Sequence, residues 1–127
     1  MVRCMVVDDS AYARALIRRM LETHGHEIVA EAEDGEIAVE MFKKHRPDLV
    51  TMDVLMPNKD GIEATKEIVE VDPKCKIIVC SSLKQDRFIE EAREAGASDF
   101  IIKPFGEIQL TTRINSILGI QREQKDA

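Results

Sequence analysis

Five side chains in this chain are of types that could do chemistry together. They are an acidic pair, Asp8 and Asp9, a lone acid, Asp53, a hydroxyl, Ser81, and an ammonium, Lys103. Asp53 lies in the stretch Asp48-Leu49-Val50-Thr51-Met52-Asp53-Val54-Leu55-Met56-Pro57, where a short apolar run ends in a carboxylate. The others also follow apolar runs. Three carboxylates drawn together repel one another and take up protons. A hard divalent cation relieves that repulsion, and Mg2+, which keeps several waters, suits a site of few carboxylates plus a phosphate. Singly, each residue has a blander reading. Asp8-Asp9-Ser10 reads as a helix-capping turn, Asp53 as a cap or turn former, Lys103 as a solvated lysine, and Ser81 carries little signal. The chemistry depends on whether they meet.

The elements that carry them decide this. Val2 to Val7 is apolar except for Arg3, the pattern of a strand buried on both faces. Ser10 caps a helix whose Ala13, Leu16, Ile17, Met20 and Leu21 form one apolar stripe, stopped by Gly25. Ile28, Ala30 and Ala32 alternate with Glu27, Val29 and Glu31, a half-exposed strand at a sheet edge. Asp34-Gly35 turns the chain into a second helix, with Ala38, Met41 and Phe42 facing the core and Pro47 closing the unit. The central strand Leu49 to Met52 follows. After the turn Asn58-Lys59-Asp60-Gly61 comes a third helix with Ile62, Thr65, Ile68 and Val69 inward. Lys76 to Cys80 is a fourth strand, Asp86 to Ala95 a fourth helix ended by Gly96, and Phe100 to Ile102 a fifth strand. The last helix shows Leu110, Ile114, Ile117 and Leu118 before Gly119, and the polar tail Gln121 to Ala127 is expected to fray.

Strands alternating with helices predict an α/β fold: a doubly wound parallel sheet with helices on both faces. All strands of such a sheet end at one edge, where ligands bind. Asp8, Asp9, Asp53, Ser81 and Lys103 are therefore expected to converge. A length of 127 residues predicts one domain. A net charge of −6 argues against nucleic-acid or membrane-surface partners, which need a basic face. No apolar run reaches the length of a membrane span and no signal peptide precedes the first strand, so a cytoplasmic location is expected. Cys4, Cys75 and Cys80 are odd in number and lack metal-ligand spacing, which predicts buried thiols in a reducing compartment. His24, His26 and His45 are expected at the surface, near helix ends.

The motifs Val6-Val7-Asp8-Asp9-Ser10, Met52-Asp53 with Met56-Pro57 and Asp60-Gly61, Val79-Cys80-Ser81-Ser82, Gly96-Ala97 and Lys103-Pro104-Phe105 span nearly the whole chain in register. Together they resemble two-component response-regulator receiver domains, most closely the single-domain chemotaxis type. The resemblance implies a flavodoxin-like (βα)5 fold with strand order 2-1-3-4-5, an order carried over rather than derived. It implies one receiver domain over residues 1–120 and a tail over 121–127. It further implies that Asp53 is the phosphoacceptor, that Asp9 and Asp53 ligate Mg2+ directly with Asp8 acting partly through water, and that the Leu55 carbonyl completes the protein's ligands. Lys103 and Ser81 would contact phosphoryl oxygens, and the Lys103–Pro104 bond would be cis. Phe100 falls at the family's switch aromatic, although a plain core phenylalanine fits nearly as well. Leu55 and Leu83 flank the phosphoryl position and are apolar, which implies slow decay.

The function so implied is not turnover catalysis. A histidine kinase phosphorylates Asp53, and a motor-switch or adaptor protein reads the face of the fourth helix, fifth strand and fifth helix. A phosphatase is a further expected partner, and the chain is expected to be a monomer. Alternatives within the family are a phosphorelay intermediate, or the receiver of a larger regulator such as a chemotaxis methylesterase. Rivals outside it fit less well. A dehalogenase-like phosphatase carries Asp-x-Asp after the first strand, and here the second position is Ser10. A flavin or nucleotide module needs a phosphate cradle where two acids stand.

Overall fold

The computed structural model describes residues 2–119, so the tail expected to fray over 121–127 lies outside the described residues. The chain alternates β1 (Arg3–Val7), α1 (Ala11–Thr23), β2 (Glu27–Ala32), α2 (Gly35–His45), β3 (Leu49–Met52), α3 (Gly61–Val71), β4 (Lys76–Ser81), α4 (Asp86–Ala95), β5 (Asp99–Ile102) and α5 (Glu107–Leu118). The strands form one sheet in the order β2-β1-β3-β4-β5, and every pairing is parallel. Strand ends differ from the sequence reading by one residue: β1 begins at Arg3, β4 runs on to Ser81, and β5 starts at Asp99.

Alternation along the strands sends side chains to two separate cores. Met5, Val7, Val50, Met52, Ile77 and Val79 pack on one face against Ala38 and Phe42 of α2, Ala64 and Ile68 of α3, and Ala92 of α4. Cys4, Val6, Leu49, Ile78, Cys80 and Ile101 pack on the other against Ile17 and Leu21 of α1 and Leu110 and Ile114 of α5. Burying one such aliphatic or aromatic side chain contributes about 1.5–3 kcal/mol. The strands of highest apolar content, β1, β3 and β4, are therefore the ones enclosed by neighbours on both sides. β2 stays only partly covered at its edge.

Helix starts are set by side-chain caps that accept otherwise unpaired backbone N–H groups. Ser10 accepts from Ala13 at 3.2 Å, Asp34 from Ile37 at 2.8 Å, and Asp60 from Glu63 at 2.8 Å. Asp34-Gly35 is thus a cap and the first helical residue rather than a separate turn. Gly96 and Gly119 end α4 and α5 in the left-handed conformation. No helix among the described residues is long and apolar enough to cross a membrane.

Two expectations are corrected. Leu16, assigned to the inward stripe of α1, is 41% exposed. Only Ile17 and Leu21 of that stripe are buried, and Leu16 lies instead in an open groove facing Pro104 and Phe105. His26, expected at the surface, is buried, and its Nδ1 accepts a hydrogen bond from the Val2 backbone N–H at 3.2 Å. Burial holds its ionisation below the usual histidine value of 6.5. The thiols of Cys4, Cys75 and Cys80 are all free and buried, and burial pushes each up to about 12.

Candidate functional site

The carboxyl ends of the strands reach one level. Val7 pairs with Met52, and Met52 with Val79. The sheet's hydrogen bonding then runs one residue beyond each strand. The Asp53 N–H donates to Val7 O at 3.0 Å, the Asp8 N–H to Ala32 O at 3.1 Å, and the Lys103 N–H to Ser81 O at 2.9 Å. The candidate side chains of Asp8, Asp53 and Lys103 therefore hang from the ladder, not from free loops. Gly61 closes the segment after Asp53 through an N–H bond to Val54 O at 2.8 Å. A Cβ on Gly61 would lie 1.7 Å from Asp53 O, so only glycine permits this approach.

Asp8, Asp9 and Asp53 each bring one carboxylate oxygen to within 4.8 Å of the others. Asp8 and Asp53 are buried, and Asp9 is exposed. The Lys103 Nζ lies 2.6 Å from Asp8 Oδ2 and 3.6 Å from Asp53 Oδ1, so it faces both buried acids. The other Asp8 oxygen accepts from the Ser10 N–H at 3.0 Å. Asp53 Oδ1 accepts from the Val54 N–H at 2.9 Å. Burial is the largest influence on Asp53 and pushes its carboxyl up to about 6. Lys103 and the Val54 N–H pull it down, while Asp8 and Asp9 push it further up. For Lys103, burial alone favours the neutral amine, but the hydrogen bond to Asp8 and the charges of Asp53 and Asp8 outweigh it. Its ammonium is held more firmly than usual.

This donor set fits a small hard cation. Three carboxylates of hard oxygen, two of them buried and sharing a single lysine, have more negative charge than that lysine neutralises. Ser81 is buried beside this cluster's strand, and its Oγ accepts from the Leu83 N–H at 3.1 Å. Its hydroxyl proton remains available to donate. Leu55 is 60% exposed, whereas Leu83 is half-buried. Phe100 is half-buried against the α2–α3–α4 core, so it is not an enclosed core phenylalanine. The Lys103–Pro104 bond is cis.

Two supports were missed in the sequence. The Arg14 guanidinium donates to Asp8 O at 2.7 Å and is braced by Glu31 on β2 at 3.3 Å. Its position on α1, one turn beyond the Ser10 cap, was the available signal. An apolar groove lined by Tyr12, Ala13, Leu16, Met20, Pro104 and Phe105 also runs beside Lys103. The outward turn of Leu16, which periodicity hid, builds it.

The family model for the response regulator receiver domain matches residues 4–115. The chemotaxis protein CheY of Bacillus subtilis (strain 168) is 48% identical over 117 residues, covering 92% of this chain and 98% of its own. Protein CcdB of the same strain is 47% identical over 119 residues, covering 94% and 99%. Among solved structures, CheY in the CheX-CheY-BeF3-Mg+2 complex from Borrelia burgdorferi superposes with a TM-score of 0.89 at 31% identity, over 91% of this chain and 88% of that one.

Proposed function

The chain belongs to the response regulator receiver domain family, and from that premise we propose that it is a Mg2+-dependent phosphoacceptor switch acting in chemotaxis. A histidine kinase is the donor, and the domain comprises residues 1–120, acts as a monomer and works in the cytoplasm. The observation that carries this reading is the buried Asp53 carboxylate, 3.6 Å from the Lys103 ammonium and clustered with Asp8 and Asp9. A carboxyl of about 6 is ionised at neutral pH and therefore nucleophilic. One Asp53 oxygen attacks the phosphorus of a phosphohistidine, the P–N bond breaks, and the imidazole leaves with the bonding pair. Lys103 neutralises charge gathering on the phosphoryl oxygens, and the Ser81 hydroxyl donates to one of them. Asp9 and Asp53 would hold Mg2+ directly, Asp8 partly through water, with the Leu55 carbonyl as the last protein ligand. Bound there, the ion supplies further neutralisation of carboxylate and phosphoryl charge.

The groove beside Lys103 would offer a donor protein an apolar seat. The chemotaxis assignment rests on the CheY relatives, and the CheX complex of the Borrelia burgdorferi protein supports a protein partner as the reader. The protein is its own substrate, since Asp53 carries the product. With Mg2+ and acetyl phosphate the chain should gain one acid-stable, base-labile phosphate, counted by intact mass. Asp53→Asn should gain none. Stoichiometric labelling of that variant would overturn the reading.

A further inference from the structure

The loop joining β3 to α3 carries Asp53 at its start and Leu55 two residues later. Leu55 and Met56 make no hydrogen bond of their own among the described residues. The loop's path is fixed at two places. At its base, the Gly61 N–H holds Val54 O. At its tip it is clasped by the first turn of α2, an element that contributes nothing to the acidic cluster.

The clasp has two bonds. Asp34, buried, divides its carboxylate: Oδ1 caps α2 by accepting from the Ile37 N–H, and Oδ2 accepts from Asn58 Nδ2, each at 2.8 Å. Its ionisation lies below the usual carboxylate range, chiefly through the Ile37 bond. The Gly35 N–H donates to Lys59 O at 3.0 Å, and a Cβ on Gly35 would stand 2.3 Å from that oxygen. Asn58 itself adopts the left-handed conformation, with φ of 70°. A non-glycine residue there incurs strain that a specific contact offsets.

We infer that Asp34 is a positioning residue that, through Asn58, sets the course of the loop on which the Leu55 carbonyl is offered to Mg2+. The inference rests on the metal reading above. Outer partners of metal ligands commonly change affinity by tenfold or more without touching the ion.

Two variants separate this role from helix capping and from charge. Asp34→Ser removes the charge, keeps an oxygen for the Ile37 N–H, and loses the bond to Asn58. Asp34→Asn removes the same charge and keeps the cap. It also restores the clasp once the Asn58 amide turns over to present its oxygen. Calorimetric titration of the full chain with Mg2+ alone, with folding verified by circular dichroism, should give about tenfold weaker binding for Asp34→Ser. Asp34→Asn should bind like the wild type. Asn58→Gly, which keeps the left-handed backbone and deletes only the amide, should weaken binding as Asp34→Ser does. A wild-type chain that takes up no Mg2+ overturns the proposed function and this inference with it. Wild-type binding that Asp9→Ala abolishes, but that Asp34→Ser and Asn58→Gly leave unchanged, overturns this inference alone.

Discussion

Asp53 must carry charge at neutral pH to act as a nucleophile, yet its surroundings resist that charge. Burial and the two neighbouring carboxylates outweigh Lys103 and the Val54 N–H, and the carboxyl rises from 3.8 to about 6. Between those values the folded chain binds more protons than the unfolded chain. Stability is therefore lost as pH rises through that window, and the loss is fully present at pH 7. Asp53→Asn removes the penalty. In the metal-free protein it should raise stability at pH 7 by about 1–3 kcal/mol, seen as a higher urea midpoint. The gain should shrink as pH falls toward 4. Equal midpoints at pH 7 would show that the acidic cluster carries no such cost. The site's chemistry and its instability thus have one cause, and a cation that offsets the negative charge would be bound more tightly for that reason.

At the scale of elements, the start of β1 is stitched to the start of β2 by a pair of bonds. His26 Nδ1 accepts from the Val2 N–H, and the Glu27 N–H donates to Val2 O at 3.0 Å. Protonation of Nδ1 removes the acceptor. Because burial lowers the folded-state value below 6.5, the unfolded chain binds more protons once pH falls under 6.5, and stability declines on acidification from there. His26→Asn supplies a carboxamide oxygen that does not titrate. Its urea midpoint should fall less between pH 7.5 and pH 5.5 than that of the wild type, and parallel declines would remove His26 from the account. Neither this bond nor the clasp at Asp34 was legible in the sequence. Both join residues 24 apart through side chains whose types also suit the surface. The elements themselves were legible to within a residue, because the unbroken apolar runs of the central strands, the alternation of β2 and the 3.6 period of the helices are bounded by Gly, Pro and capping residues. Leu16 keeps the period of the stripe yet is exposed, because periodicity does not show the gap left between α1 and the Pro104–Phe105 turn. The convergence of Asp8, Asp53, Ser81 and Lys103 followed from strand direction alone, whereas Arg14's brace needed the position of β2.

Across the whole molecule, the acidic cluster and Phe100 are joined by one strand pair. Phe100 pairs with Val79, and Ser81 lies on the same face of β4 as Val79, so the hydroxyl and the ring share a side of the sheet. The Arg113 guanidinium fixes the β5 backbone by donating to Asp99 Oδ1 at 2.9 Å and Phe100 O at 3.0 Å. The ring itself is half-buried and borders an open groove with Ile89, Arg93 and Arg113. A hydrogen bond donated by the Ser81 hydroxyl to a phosphoryl oxygen would draw the β4–α4 loop inward, carrying with it the Leu83 N–H that Ser81 Oγ holds at 3.1 Å. That would open room for the Phe100 ring to turn inward, and a partner seated on α4, β5 and α5 would select the turned state. A ligand shifts such an equilibrium only by its differential affinity, so partner binding must strengthen phosphoryl binding by the same factor that phosphorylation strengthens partner binding. Beryllofluoride with Mg2+ mimics the phosphoryl group without turnover. Backbone NMR of the free and beryllofluoride-bound chain should show shift changes through residues 83–109, including Phe100 and the start of α5. A Phe100→Ala variant should confine them to the neighbourhood of Asp8, Asp9, Asp53 and Lys103. Changes so confined in the wild type would mean that the phosphoryl group is stored or passed on at Asp53 and that no surface moves to report it.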